Sequence, residues 1–209
     1  MTENLGVAVL AAGSARRMGK PKLLLPLGDD NILGHVLRTA SAFSWGGKVA
    51  VIGEPQSELR NTCQRFHFPF VYNPEFNLGM STSLRKALEV LPNKVEGILF
   101  LLGDQPLVTQ ELIRAMIGEY AARRNTAAII VPEYGGEYFS PVLFGAGWRD
   151  ELLQVAGDEG GRSIIRNHPE AVIPLVWDTP EPFGDIDTME DYNLLCREWM
   201  DDESISKDC

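Results

Sequence analysis

Short apolar runs, each closed by turn-forming residues, recur along the chain and decide what it can fold into. They are VAVLAA from Val7, KVAVIG from Lys48, FPFVYN from Phe68, GILFLLGD from Gly97, TAAIIVP from Thr126, PVLFG from Pro141 and AVIPLVW from Ala171. They are short and do not alternate as a strand with one wet face does, which favours strands covered on both faces. Between them lie stretches of helical character: ILGHVLRTASAF, MSTSLRKALEVL and ELIRAMIGEYAARR. Strand alternating with helix predicts an α/β fold, a three-layer, doubly wound, Rossmann-like arrangement with a mostly parallel sheet. In such sheets ligands gather at the carboxyl ends of the strands, near the point where strand order reverses. The segments to inspect are therefore AAGSARRMG after the first run, NPEFNLGMS after the third and GDQP after the fourth.

A chain of 209 residues with 44% hydrophobic and 23% charged residues has the profile of one globular domain. We place it at 1–200, with DDESISKDC at 201–209 as a polar tail. No apolar run reaches the roughly 18 residues of a membrane span, and the N-terminus lacks the order of a secretory signal, so the expectation is a cytoplasmic protein that engages no membrane. A formal net charge of -10 argues against a nucleic-acid partner, because phosphate polymers need a basic footprint. Cys63, Cys196 and Cys209 are odd in number and far apart, suggesting neither a disulfide framework nor a metal site. His35, His67 and His168 are equally scattered.

Against that acidity one stretch stands out. Between Glu3 and Asp29 the only charges are Arg16, Arg17, Lys20 and Lys22. Five residues separate Gly13 from Gly19, which fits neither the dinucleotide fingerprint nor a Walker A loop, and Lys20 is followed by Pro21 rather than Ser or Thr. The general physics survives: small residues let the backbone approach an anion, consecutive N–H groups can cradle it, Arg17 offers a planar fork and Lys22 a mobile point charge. On spacing alone, an anion-holding loop and an exposed basic turn both remain open.

Two carboxylates have places that invite chemistry. Asp104 should emerge at the carboxyl edge of a buried strand, and Thr109 already serves as N-cap for the helix that follows. Asp187 precedes Thr188, which forms a capping box with Asp191 ahead of a helix whose Tyr192, Leu195, Cys196 and Trp199 share one face. Asp185, two residues away, competes with Asp187 for any metal. An acid/base pair of a hydrolase is the rival use of two carboxylates.

The stretch L10-A-A-G-S-A-R-R-M-G-K-P-K22-L-L-L-P26-L resembles the signature loop of the MobA-like nucleotidyltransferases, in particular their molybdenum cofactor cytidylyltransferase branch. The likeness continues at N73-P-E-F-N-L-G79-M-S81-T-S83, at G103-D-Q-P106-L, at G157-D-E-G-G-R162-S-I-I and at D185-I-D187-T-M-E-D-Y. It implies the nucleotidyltransferase fold and transfer of CMP from CTP, or of another nucleoside triphosphate's nucleotide, to molybdopterin with release of pyrophosphate. It also implies Mg²⁺ held by Asp104 and Asp187. Leu10, Ala11, Ala12, Gly13, Ser14, Arg17, Lys22, Asn77, Gly79, Ser81 and Asp104 would bind the nucleotide; Arg17, Lys22 and Asp104 would carry the catalysis. A molybdoenzyme receiving the cofactor is the partner such a protein would touch. Two other readings stay open: another phosphorylated acceptor, such as a sugar phosphate, or a non-catalytic nucleotide- or cofactor-binding module. The sequence departs from the family where Tyr138, Phe139, Ser140, Pro141 and Val142 stand in place of Arg-Gly-His-Pro-Val. Tyr138 and Phe139 read as core residues, with stacking on a ligand ring as the alternative.

Overall fold

The computed structural model of the chain describes residues 2–13, 20–123 and 125–206, with side chains as far as 199. Its strands are β1 (Leu5–Ala11), β2 (Pro26–Leu27), β3 (Asp30–Asn31), β4 (Gly47–Ile52), β5 (Phe70–Tyr72), β6 (Gly97–Leu102), β7 (Ile129–Tyr134), β8 (Glu137–Tyr138), β9 (Val142–Gly145) and β10 (Val172–Val176). Its helices are α1 (Ile32–Ser41), α2 (Gln56–Arg65), α3 (Met80–Val90), α4 (Gln110–Arg123), α5 (Arg149–Gln154), α6 (Arg162–Asn167) and α7 (Met189–Ser206).

β1 is buried at every position, and the two-residue period of a strand sorts its side chains. Leu5, Val7, Val9 and Ala11 join one apolar cluster with side chains of α1, α2, α4 and α7; Ala8 and Leu10 join a second cluster with α3, α5 and α6. These are the three layers the apolar runs predict. The sheet runs in the order β10-β7-β9-β6-β1-β4-β5, with β8 pairing on β7. β1 is parallel to both β4 and β6, β4 to β5, and β7 to β10, whereas β9 lies antiparallel between β6 and β7.

From β1 the chain moves outward to β4 and β5, then returns to the other side of β1 for β6. Strand order therefore reverses between β1 and β6, and the loops leaving them part to open a crevice. Gly103 keeps the crevice floor tight. Its N–H donates to the Leu10 carbonyl at 2.9 Å, and a Cβ there would meet Ala11 at 3.1 Å.

Local signals read from the sequence hold at both helix starts near the site. The Thr109 Oγ1 accepts from the Leu112 N–H at 3.1 Å. Thr188 N–H donates to Asp191 Oδ2 at 2.8 Å while Asp191 N–H donates to Thr188 Oγ1 at 3.1 Å. Tyr192, Leu195, Cys196 and Trp199 pack α7 onto the first cluster, and the helix continues to Ser206, past residue 200 where the sequence places the start of a tail. Cys63 is buried, which pushes its thiol up to about 12. Phe139 stacks on Phe183 at 4.8 Å, as a core residue does, but Tyr138 is 50% exposed on the β7–β8 hairpin, so the expectation of core holds for Phe139 alone. Among the described residues no helix is long and apolar enough to cross a membrane.

Leu101 is fully buried in β6, the strand that delivers Asp104. Leu101→Ala is expected to lower the unfolding free energy by about 2–5 kcal/mol, measured by urea denaturation. A loss under about 1 kcal/mol would show that this strand is not packed as described.

Candidate active site

The crevice holds two adjoining chambers. The first, about 260 Å³, is walled by Leu10, Ala12 and Gly13 after β1, by Lys22 and Leu23, by Phe76, Asn77, Met80 and Ser83, and by Leu102 and Asp104 after β6. The second, about 230 Å³, shares Leu10, Met80, Leu102, Asp104 and Asp158 with the first and extends along Ser140, Val142 and Phe144 to Arg162, Asp185 and Asp187.

Lys22 opens a 3-10 turn (Lys22–Leu24), and its Nζ lies 2.6 Å from Asp104 Oδ2 and 3.1 Å from Asp187 Oδ1. Burial works to lower the pKa of this ammonium, but the carboxylates, Asp104 foremost, more than offset it and hold it above its ordinary 10.5. Asp185 is pushed up to about 6, first by desolvation and then by the negative charge of Asp104; a hydrogen bond from Gln105 opposes the shift. The buried Gln105 donates through Nε2 to the Phe183 carbonyl at 3.3 Å, and its Oε1 has no partner among the described residues. Two aspartates thus meet one ammonium, with Asp185 close enough to feel the charge of all three.

The loop ahead of α3 is held by a buried asparagine. Asn73 Nδ2 donates to Thr82 Oγ1 at 2.8 Å and to Ser83 Oγ at 3.0 Å, while its Oδ1 accepts from the Glu75 N–H at 3.0 Å. Gly79 sits at φ 112° and ψ 169°, a region essentially confined to glycine, where a Cβ would lie 2.6 Å from the Gly157 backbone. Ser81 N–H donates to the Gly157 carbonyl at 3.0 Å. The loop before α3 and the loop before α6 are clasped to each other, which joins the walls of the two chambers.

Of the residues the sequence points to, Leu10, Ala12, Gly13, Lys22, Asn77 and Asp104 line the first chamber and Asp187 the second. Ala11 turns its side chain into the opposite core cluster, and Ser81 is 1% exposed with its N–H already committed to Gly157. Gly79 shapes the clasp. Ser14 and Arg17 lie outside the described residues. The sequence reading gave no role to Phe76, Ser83, Asp158 or Arg162, although the segment from Gly157 to Arg162 was recognisable as a motif.

The donor set suits a hard divalent cation. Two aspartates already converge on one positive charge, with the Lys22 ammonium standing where a cation would be drawn. Among the described residues no cluster of three or more His, Cys, Asp or Glu encloses an ion, so an ion here would take its remaining ligands from water and phosphate, as Mg²⁺ commonly does.

A crevice at the switch point of a doubly wound sheet, with an ammonium and aspartates at its mouth, lies where proteins of this architecture bind their ligands. Residues 7–172 match the MobA-like NTP transferase domain, and the chain belongs to this family of nucleotidyltransferases. It is 26% identical over 202 residues to the purine catabolism protein PucB of Bacillus subtilis (strain 168), covering 90% of this chain and 94% of PucB. The crystal structure of an Rv0371c homologue from Mycobacterium sp. strain JC1 superimposes with a TM-score of 0.84 at 30% identity, covering 96% of this chain and 98% of that one. Rv0371c of Mycobacterium tuberculosis H37Rv in complex with manganese superimposes with a TM-score of 0.78 at 29% identity, over 92% and 98% of the two chains. Of the bifunctional protein GlmU of Azotobacter vinelandii, also matched, this chain spans only 26%.

Gly79→Ala forces a side chain into the Gly157 backbone at a φ that L-residues avoid. The expected outcome is a loss of about 1–3 kcal/mol in stability together with weaker nucleotide binding, read by thermal denaturation with and without CTP. Unchanged melting would mean that the two loops are not clasped.

Proposed function

We propose that the chain transfers CMP from CTP to a molybdopterin-type acceptor and releases pyrophosphate. The observation that carries the reading is the pair of chambers meeting at Asp104, with Lys22 on one side of it and Asp187 on the other. A nucleotide in the first chamber and an acceptor in the second would bring two polyanions together at that shared wall, and lowering the barrier is then a matter of positioning and of neutralising charge.

In this reading the acceptor's terminal phosphate oxygen forms the new bond to the α-phosphorus as the bond to the β-phosphate oxygen breaks, and pyrophosphate carries away the electron pair. No general base is required, because the acceptor phosphate is already an anionic nucleophile. Leu10 and Phe76 supply apolar surface to the base, and the L-A-A-G start of the loop supports CTP as the nucleotide. The N–H groups of Ala12, Gly13 and Ser14 hold the β- and γ-phosphates, Arg17 neutralises the leaving pyrophosphate and Lys22 steadies the α-phosphate. Asp104 and Asp187 would hold Mg²⁺, which would supply charge neutralisation to the reacting phosphates.

The second chamber offers an acceptor one cation and a patch of apolar surface. Among its described lining residues Arg162 is the one cation, in a lining that also holds Asp104, Asp158, Glu159, Asp185 and Asp187. Glu159 is paired with Arg166 at 2.5 Å, leaving the Arg162 fork for an acceptor phosphate. Phe144 and Val142 offer the apolar surface a pterin needs.

Pyrophosphate release with each of the four nucleoside triphosphates, with and without molybdopterin, tests the proposal. Release with CTP and molybdopterin together is the expected result; release with a sugar phosphate instead, or nucleotide binding without release in every mixture, would overturn it. Lys22→Ala should lower kcat and kcat/KM together by about 100-fold, as loss of a group acting on the transition state does. Arg162→Gln should raise the KM for the acceptor by roughly tenfold and leave the KM for CTP unchanged.

A further inference from the structure

Lys22 has two demands on its one charge. The proposed reaction places it on the α-phosphate, yet its ammonium lies 2.6 Å from Asp104 Oδ2 and 3.1 Å from Asp187 Oδ1, the two carboxylates proposed to hold the divalent ion. An ion bonded to those oxygens at about 2.1 Å would sit within a few ångströms of the ammonium. Two like charges that close, in a site where Lys22 is only 13% exposed, repel strongly.

We infer that Lys22 occupies the metal's seat until nucleotide arrives, and that the protein takes its divalent ion as the metal–triphosphate complex rather than as a resident metal. The triphosphate brings the ion that replaces the ammonium between the carboxylates, and it brings the anion to which the ammonium then moves. The four-carbon stem of lysine makes that short exchange possible without movement of the sheet. Until the exchange the ammonium stands between Asp104 and Asp187 and offsets their charge at the crevice mouth. Metal and nucleotide consequently bind with positive coupling, each favouring the other by the same factor. No covalent step is involved.

This inference rests on the proposed metal ligands, and its test separates the two. Mn²⁺ alone, without nucleotide, is titrated into the full chain and followed by electron paramagnetic resonance. Lys22→Met and Lys22→Gln, each checked for folding by circular dichroism, are expected to bind Mn²⁺ roughly tenfold or more tightly than the parent, the scale of removing one unit charge at contact distance. Adding Asp104→Asn to either variant should abolish that gain. Parent-like affinity in both single variants would overturn the exchange while leaving the metal ligands standing. A gain that survives Asp104→Asn would place the ion elsewhere and overturn the metal assignment together with the inference.

Discussion

The ammonium of Lys22, held between Asp104 and Asp187, ties the beginning, the middle and the end of the chain into one site. The Lys22–Asp187 contact alone spans 165 residues of sequence. Each member has a rigid support: Asp104 leaves a strand that is buried almost throughout, Lys22 starts a short turn whose Leu23 is in the core, and Asp187 stands directly before a capped helix. Carboxylates at such positions resist leaving water unless a cation meets them, and a lysine 13% exposed is stable only with anions at hand. The mutual requirement explains why a chain so acidic overall keeps a lysine at this point.

The sheet topology decides where this triad can form. Between β1 and β6 the connections depart in opposite directions, and there the carboxyl edge opens. The small residues at that edge are part of the same requirement. Ala12 and Gly103 let the two loops run close together over the ends of their strands, and larger side chains would fill the space that a phosphate tail needs.

How much could be read beforehand follows from the range of each interaction. The end of β6 and the placing of Asp104 were legible because an apolar run stops abruptly at Gly103. Thr109, and Thr188 with Asp191, were legible because a cap is fixed within three residues of sequence. Helix α2 escaped notice because QSELRNTCQR buries only Leu59, Thr62 and Cys63, too few apolar positions to show a period. The convergence of Lys22 on both aspartates was not legible, since nothing local encodes a contact between segments so far apart. The roles of Ser81 and Ser83 show the same limit at shorter range: both belong to one motif, but the helical turn sends Ser83 into the chamber and leaves Ser81 bound to the neighbouring loop. The second chamber was hidden because its walls come from β9, from the loop ahead of α6 and from the approach to α7.

The two chambers differ in how they are built, and this bears on specificity. The first leans on the ends of parallel strands in the middle of the sheet, where hydrogen bonds on both sides leave little freedom. The second leans on β9, which runs antiparallel to its neighbours, and on loops rich in positive-φ glycine such as Gly157 and Gly160. Loops change more readily than central strands. A fold of this kind can therefore keep one way of gripping a triphosphate while exchanging acceptors, and the substitution of Tyr138 and Phe139 for the usual arginine and glycine lies on that variable side. Tyr138 sits half exposed on the hairpin while Phe139 is stacked in the core, so neither can replace the lost guanidinium. In the proposed reading that part would fall to Arg162, the one cation among the described residues that line the second chamber.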